Sequence, residues 1–238
     1  MLLIVVAVVT GLAHGSAGEY PVLRELIGRS VQGRPIYAYE LGPPGGRPVL
    51  VVGCTHGDES AGMAIVAALR KLLPPVGVEL WLVPTINPDG AAAHTTANAH
   101  GVNLNRNFPY AWRRLGGVGR YNSGPRPLSE PEARAIHGIL LQVQPRLAIW
   151  FHQHAAVVDD SQGSRSLERT FGRLIGLPLR PLPDYTGSIT NWENHRFPGS
   201  TAFVTELPAG RLTRARALRD ARAVLAVSQQ DLASDPEP

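Results

Sequence analysis

A histidine and a glutamate three residues apart could bind a metal ion in this chain of 238 residues. His56 and Glu59 belong to the sequence Gly-Cys-Thr-His-Gly-Asp-Glu, which directly follows an apolar run at residues 49–52. Imidazole nitrogens and carboxylate oxygens are zinc ligands, and catalytic zinc sites use three protein ligands. The pair alone is a weak signal, because this spacing also arises by chance. Its position at the end of a predicted buried strand is what favours a metal site.

Two further apolar runs end in side chains that would complete such a site. Residues 147–151 lead to His152, and residues 202–204 lead to Glu206. We expect His152 to be the third ligand, although His154 lies on the same side of the strand and competes for this role. A carboxylate such as Glu206 can act as the general base of a hydrolase. Without a catalytic role, His152 would be a hydrogen-bonded strand cap and Glu206 a surface charge.

The apolar runs alternate with helical patterns along the chain. The expected strands are Pro35–Leu41 (at the edge of the sheet) and residues 48–53, 79–86, 146–152 and 202–206. The expected helices cover residues 60–73, 129–143 and 167–175, and a last one begins at Thr213. The second helix starts with Ser129 and Glu132, which fit a capping box. This order predicts a single α/β domain, a three-layer α/β/α sandwich around a mixed, mostly parallel sheet. In such folds ligands bind at the carboxyl ends of the strands.

Polar segments lie between the predicted elements. Residues 87–90 are Asn-Pro-Asp-Gly, which predicts a turn, and residues 103–108 are Asn-Leu-Asn-Arg-Asn-Phe. Arg106 offers a planar fork of donors that suits a carboxylate or a phosphate. The Gly- and Pro-rich residues 116–127 are expected to form one wall or a lid of the site.

Composition and charge are those of an ordinary globular protein. The hydrophobic fraction is 44%, the charged fraction is 18%, and the formal net charge is +4. The basic residues, all arginine except Lys71, are spread along the chain, so we expect no nucleic-acid partner. The single cysteine, Cys54, excludes an intramolecular disulfide and a zinc-thiolate cluster. Any metal site must therefore use histidine and carboxylate.

The first residues of the sequence have the pattern of a signal peptide. Residues 1–9 are mostly apolar, and small residues follow at 15–17, although no basic residue precedes the apolar stretch. We therefore expect a signal peptide at residues 1–17 and a secreted or cell-envelope protein. A membrane-spanning helix needs about 20 apolar residues, so no stable membrane insertion is expected. The catalytic domain would then cover residues 18–232, followed by a disordered tail at 233–238.

In their order along the chain, these motifs resemble those of the zinc carboxypeptidases. The matching segments are Ser-Val-Gln-Gly-Arg-Pro-Ile at residues 30–36, His-Gly-Asp-Glu at 56–59, Asn-Pro-Asp-Gly at 87–90, Asn-Arg-Asn-Phe at 105–108, His152, and Thr-Glu-Leu at 205–207. The resemblance implies a carboxypeptidase-like fold and one Zn²⁺ ion held by His56, Glu59 and His152. It also implies that Glu206 is the catalytic base.

The short chain and the segment Leu-Asn-Arg-Asn-Phe-Pro resemble the bacterial murein peptide amidase branch of this family. That branch hydrolyses the γ-D-glutamyl–diaminopimelate bond of cell-wall peptides, so the resemblance implies a murein-derived peptide substrate. It assigns carboxylate binding to Asn105 and Arg106. Tyr185 is a loose counterpart of a tyrosine that closes over the substrate. Ile189 and Trp192 would either line the side-chain pocket or pack in the core.

Three positions depart from the pattern that the resemblance implies. The family uses another arginine, ahead of the Asn-Arg pair, to stabilise the oxyanion, and the matching position is Thr96. No arginine occurs within residues 90–105. Asn103 stands where an aspartate is expected, and His154 where a proline is expected. Loss of an oxyanion donor lowers a rate by about 100- to 1000-fold.

Two alternatives to a peptide hydrolase follow from these observations. The departure at Thr96 fits a protein that retains the metal and binds wall peptides without turnover. A related deacylase of N-acyl amino acids would share the His-x-x-Glu spacing but not the complete series of motifs. A serine hydrolase is disfavoured because Gly-x-Ser-x-Gly is absent from the sequence. A thermolysin-type protease is disfavoured because His-Glu-x-x-His is absent.

Overall fold

Seven strands form one mixed sheet in residues 21–117 and 119–233, the part of the chain that the structure, a computed structural model, describes. The strands are β1 (Leu23–Arg29), β2 (Pro35–Leu41), β3 (Arg47–Val52), β4 (Val78–Val83), β5 (Leu147–Asp159), β6 (Leu179–Arg180) and β7 (Thr201–Pro208). Their order is β1-β2-β4-β3-β5, and β5 then pairs with β7 and, at its end, with β6. The β1–β2 and β2–β4 pairings are antiparallel and the other pairings are parallel, which confirms the predicted mixed, mostly parallel sheet.

Helices cover both faces of the sheet. They are α1 (Gly62–Leu69), α2 (Pro88–Ala93), α3 (Pro131–Val143), α4 (Arg165–Ile175), α5 (Ile189–Arg196) and α6 (Arg214–Ala233). One apolar core lies between the sheet and α1, α4 and α6, and a second lies between the sheet and α3 and α5. The predicted three-layer α/β/α architecture is therefore confirmed.

The centre of the sheet is apolar on both faces, as expected of a covered parallel sheet. In β3, the side chains of Val49 and Val51 belong to the core on the α1 side, and those of Leu50 and Val52 to the core on the α3 side. All four are fully buried. Burial of each such side chain stabilises the fold by about 1.5–3 kcal/mol. This continuous apolar run is why the strand could be predicted from the sequence.

The predictions of an edge strand and of a capping box are wrong. Pro35–Leu41 is a strand but not an edge strand, because β1 pairs with it on the outer side. The capping box at the start of α3 does not form. The Ser129 hydroxyl donates to the Glu130 carboxylate at 2.7 Å, and Glu132 accepts a hydrogen bond from the Val31 backbone N–H at 2.9 Å. Glu132 thus joins the helix to the segment after β1 instead of capping its own helix.

The ends of the chain lie outside the described residues. The predicted signal peptide at residues 1–17 is among them, as is nearly all of the predicted tail at 233–238. Within the described part, no helix has the length and apolar character needed to cross a membrane.

The turn after β3 contains a glycine that no larger residue can replace without movement of the backbone. A Cβ atom at Gly57 would lie 1.9 Å from the carbonyl carbon of Gly90 in α2. Gly57 lies between His56 and Glu59, so the turn that carries the two candidate ligands packs closely against α2. The sequence Asn-Pro-Asp-Gly at residues 87–90, predicted as a turn, forms the start of α2, with Asn87 as its N-cap.

We predict that Gly57→Ala destabilises the metal-free protein by about 1–3 kcal/mol, because the added methyl group requires the turn and α2 to separate. Gly138→Ala is the matched control. Gly138 lies inside α3, and a Cβ atom there meets no heavy atom within 4 Å. Its replacement should be neutral or stabilising by up to about 1 kcal/mol. Urea unfolding followed by circular dichroism measures both, and equal free energies of unfolding for the two variants would contradict the prediction.

Candidate active site

Three parallel strands deliver the candidate residues to one edge of the sheet. In the register of the sheet, Val52 of β3 and Val204 of β7 both lie beside Trp150 of β5. Two positions further along, His152 and Glu206 are direct Cα partners. His56 and Glu59 follow β3 in a turn in which the Glu59 N–H donates to the His56 carbonyl at 2.9 Å. The register therefore brings the three segments together.

The side chains of His56, Glu59 and His152 converge on one point. The Glu59 carboxylate oxygens lie 3.0 Å from His56 Nδ1 and 2.8 Å from His152 Nδ1. The two Nδ1 atoms are 3.2 Å apart. Ligands 2.0–2.1 Å from a tetrahedral zinc ion are separated by about 3.3 Å, so these donors fit such an ion with little adjustment. Among the described residues, no other three metal-ligating side chains come this close together.

A buried amide holds the ring of His56. Asn103 is fully buried, and its Oδ1 lies 3.0 Å from His56 Nε2. An N–H at Nε2 directs the lone pair of Nδ1 toward Glu59 and His152, and ligand histidines commonly have a hydrogen-bond partner of this kind. The Nδ2 group of Asn103 donates to the Arg120 carbonyl at 2.8 Å. The asparagine that replaces the expected aspartate therefore keeps the contact to His56 and adds one to Arg120.

The electrostatics of the three residues favour a positive charge at their centre. Burial disfavours the Glu59 carboxylate, but hydrogen bonds from His152 and His56 lower its pKa well below the usual range. Burial disfavours the imidazolium of His152, but the Glu59 carboxylate raises its pKa above the usual value. A metal ion that binds here competes with a proton on His152. Its affinity should therefore fall as the pH is lowered.

These residues face a cavity of about 270 Å³ at the carboxyl ends of the strands. The other predicted site residues line the same cavity: Glu206, Asn105, Arg106 and Tyr185. Glu206 is half-buried, and its Oε2 lies 3.4 Å from the Ala155 N–H. The structure thus brings together every predicted site residue. It separates the two competing histidines, because His152 is buried among these groups and His154 is exposed outside the cavity lining.

Arg106 is held in place from two sides. Its Nη1 donates to the Asn105 carbonyl at 2.8 Å, and its guanidinium stacks on the Tyr185 ring, 3.8 Å from the ring centre. The Asn105 Oδ1 accepts the Ile189 N–H at 2.9 Å. Burial lowers the pKa of Arg106 to about 10, so the guanidinium remains protonated at neutral pH. A fixed, desolvated guanidinium of this kind binds a carboxylate well.

Acidic side chains form another part of the wall. Asp159, Asp160 and Asp184 line the cavity together with residues 181–183. The Asp160 carboxylate forms an ion pair with Arg165 at 2.8 Å. Burial, together with the negative charges of Asp160 and Asp184, raises the pKa of Asp159. The cavity therefore offers both cationic and anionic groups to a ligand.

Several residues considered from the sequence lie outside the lining of the cavity. Ile189 and Trp192 are buried in the core on the α3 side and do not line the cavity, which is the packing alternative. Thr96 is also outside the lining, and its hydroxyl donates to Asp58 Oδ2 at 2.7 Å. Arg120 lines the cavity and was not predicted. Its position in the glycine-rich loop, expected to form a wall, was the sequence feature that could have identified it.

Known proteins with a similar sequence include zinc carboxypeptidases and murein peptide amidases. A family model described as zinc carboxypeptidase matches residues 12–162. Murein peptide amidase A from Escherichia coli (strain K12) is 32% identical over 189 residues, 74% of this chain and 78% of that protein. Murein peptide amidase A from Vibrio campbellii (strain ATCC BAA-1116) is 31% identical over 183 residues, 71% of this chain and 73% of that protein.

Solved structures agree with the fold. The structure of murein-tripeptide amidase MpaA from Escherichia coli O157 has a TM-score of 0.71 at 27% identity and covers 93% of this chain and 96% of that one. Carboxypeptidase A from Helicoverpa armigera has a TM-score of 0.72 at 17% identity and covers 91% of this chain and 70% of that one. At that identity, the second likeness is one of fold alone.

We predict that His152→Ala loses stoichiometric metal while His154→Ala retains it. His152 offers Nδ1 at the convergence point, whereas His154 is exposed outside the cavity. Zinc content after dialysis, measured by atomic emission on protein refolded with one equivalent of ZnCl₂, gives the result. Titration calorimetry at pH 7.5 and pH 6.0 should show weaker binding at the lower pH in the wild type. Equal zinc content in the two variants would contradict the assignment of His152.

Proposed function

The chain belongs to the zinc carboxypeptidase family and is a peptide-bond hydrolase, and from that premise we propose that it is a zinc-dependent enzyme acting on murein peptides. One observation carries the proposal: His56, Glu59 and His152 converge in the same cavity as Glu206 and Arg106. That cavity contains a metal-binding group, a base and a carboxylate-binding group. A peptidase that cleaves beside a free carboxylate needs these three.

His56, Glu59 and His152 would hold the zinc ion. When bound, zinc supplies Lewis acidity that polarises the scissile carbonyl and makes water a better nucleophile at neutral pH. Catalytic zinc sites use three protein ligands together with water, and these three side chains would make up such a set. Asn103 contributes indirectly, since its Oδ1 lies 3.0 Å from His56 Nε2 and keeps the ring oriented.

Glu206 is proposed as the general base. Its carboxylate lies in the strand position beside His152 and lines the cavity. It would accept a proton from the attacking water and return it to the leaving nitrogen, so that both proton transfers use one group. The remaining half-exposure of Glu206 allows water to reach it from the cavity.

The charges of the cavity fit a leaving group with both carboxylate and ammonium groups. Arg106, with the amide of Asn105 beside it, would bind the carboxylate next to the scissile bond, and Tyr185 would cover it. Asp159 and Asp184 would meet an ammonium group. Diaminopimelate carries both kinds of group at each end of its chain. The relatives named murein peptide amidase point to the same substrate class.

We propose that the protein acts in the cell envelope, where intact murein is found. This proposal agrees with the signal peptide expected at residues 1–17 from the sequence pattern. L-Ala-γ-D-Glu-diaminopimelate is the tripeptide substrate that the murein assignment implies.

We predict that Glu206→Gln abolishes hydrolysis of L-Ala-γ-D-Glu-diaminopimelate with zinc retained, since an amide cannot accept the proton. A general base contributes about 100- to 10,000-fold, so kcat should fall by at least 100-fold. Release of diaminopimelate, followed by chromatography, measures it. Equal turnover in the variant and the wild type would exclude Glu206 as the base. An inactive wild type with full zinc would favour the binding protein, and hydrolysis confined to N-acyl amino acids would favour the deacylase.

We predict that Asp159→Asn lowers the preference for L-Ala-γ-D-Glu-diaminopimelate over the same tripeptide ending in 2-aminopimelate. The second tripeptide lacks the distal ammonium group. The loss of one charge-assisted contact corresponds to about a tenfold change in the ratio of kcat/KM values. Asp160→Asn is the matched control, because Asp160 is paired with Arg165 and should contribute less. An unchanged ratio in Asp159→Asn would remove the acidic wall from substrate recognition.

A further inference from the structure

Hydrolysis of a peptide bond places negative charge on the carbonyl oxygen, and a donor aimed at that oxygen supplies a large part of catalysis. Thr96, at the position where the family resemblance implied an arginine, cannot supply a positive charge. Its hydroxyl is engaged with Asp58 at 2.7 Å, and the residue lies outside the cavity lining. A cationic side chain that binds the oxyanion would therefore have to come from another part of the chain.

Two arginines line the cavity, Arg106 and Arg120. Arg106 is 6% exposed, stacks on Tyr185 and donates to the Asn105 carbonyl. These contacts fix it where a substrate carboxylate would bind. Arg120 has an exposed side chain. Both arginines line the same cavity, and the positive charge of Arg120, after burial, contributes to the lowered pKa of Arg106. One cationic group is thus available beyond the one that binds the carboxylate.

The backbone around Arg120 is tied to the proposed metal ligands. The Asn103 N–H donates to the Asn122 carbonyl at 2.8 Å, and the Asn103 Nδ2 donates to the Arg120 carbonyl at the same distance. The Oδ1 atom of the same side chain contacts His56 Nε2 at 3.0 Å. A single buried side chain therefore spans from the metal group to the loop that carries Arg120.

The departure at position 103 has a consequence for this loop. An aspartate would accept a hydrogen bond from His56 equally well, but it has no N–H group with which to bind the Arg120 carbonyl. Asparagine serves both contacts. Asn103 therefore anchors the loop that carries Arg120 through a contact that the expected aspartate could not make.

We propose that Arg120 stabilises the oxyanion of the hydrolysis reaction in place of the arginine that is absent at position 96. The inference rests on the proposed function and assigns a further catalytic residue to it. Arg120 donates to the oxygen of the scissile carbonyl as the water adds, and Arg106 binds the carboxylate of the leaving group. Asn103 is a positioning residue for Arg120.

The test compares Arg120→Gln and Arg120→Lys with Arg126→Gln, an exposed arginine of the same loop that does not line the cavity. With L-Ala-γ-D-Glu-diaminopimelate, kcat of Arg120→Gln should fall by about 100- to 1000-fold with little change in KM. Arg120→Lys should retain part of the rate, and Arg126→Gln should match the wild type. Zinc content and the melting temperature, measured on each protein, verify that the variants are folded and loaded.

Binding measurements distinguish the proposed role of Arg120 from that of Arg106. A phosphinate analogue of the tripeptide, which imitates the tetrahedral intermediate, should lose affinity for Arg120→Gln in proportion to the loss of kcat. Free diaminopimelate should bind that variant as it binds the wild type, but should bind Arg106→Gln more weakly.

Wild-type turnover in Arg120→Gln would overturn the inference and leave the proposed function intact. A raised KM with weakened diaminopimelate binding and unchanged kcat would also overturn it, by making Arg120 a leaving-group contact. If the zinc-loaded wild type hydrolyses no peptide, the proposed function fails, and the inference fails with it.

Discussion

The site depends on the parallel pairing of β5 with β3 on one side and β7 on the other. In β5, Trp150 points into the core on the α3 side, and Phe151 into the core on the α1 side. A slip of one residue would exchange these two faces, because side chains alternate along a strand. His152 would then point away from Glu206 and from the turn after β3. The fit of large aromatic side chains in two separate cores thus sets the position of a metal ligand.

Loops complete the site, and buried polar side chains hold them without disulfides. Asp89 accepts hydrogen bonds from the Ser30 hydroxyl at 2.8 Å and the Gln32 N–H at 2.9 Å, and it pairs with Arg34. Burial opposes the Asp89 carboxylate, but these donors lower its pKa. Its lowered pKa stabilises the fold above the pKa of the unfolded state, and this contribution is lost as the pH falls through the folded value.

Asn107 has a similar role in the loop before α3. Its Nδ2 donates to the Ser123 carbonyl at 2.8 Å and to Ser129 Oγ at 3.0 Å, while its Oδ1 lies 3.2 Å from the Glu130 N–H. Several residues of the recognisable motifs, Asp89 and Asn107 among them, therefore act on the backbone and not on a substrate. The motifs of this family therefore include residues that hold the loops of the site in place as well as residues proposed to act in catalysis.

The sequence predicted the central elements and the metal group because both follow from simple patterns. Continuous apolar runs identify β3, β5 and β7, and the polar residues at their ends identify His56, His152 and Glu206. The exposed β1 and the two-residue β6 were missed because neither carries such a run. The prediction of a capping box at Glu132 is wrong because this side chain bonds to Val31 and Asn98, which are distant from it in sequence. Only the fold brings such partners together.

Arg120 illustrates the same limit for the site. Arg120 is one of two arginines in a glycine-rich loop, and nothing in the sequence links it to Asn103, which lies seventeen positions earlier and donates a hydrogen bond to its carbonyl. Asn103 departs from the pattern of the family, but its effect depends on a hydrogen-bond partner that the sequence does not identify. A substitution in a motif changes the contacts that its side chain can make, and here an amide keeps the acceptor that His56 needs while adding a donor. The effect of a departure from a motif therefore depends on which second residue the altered side chain contacts.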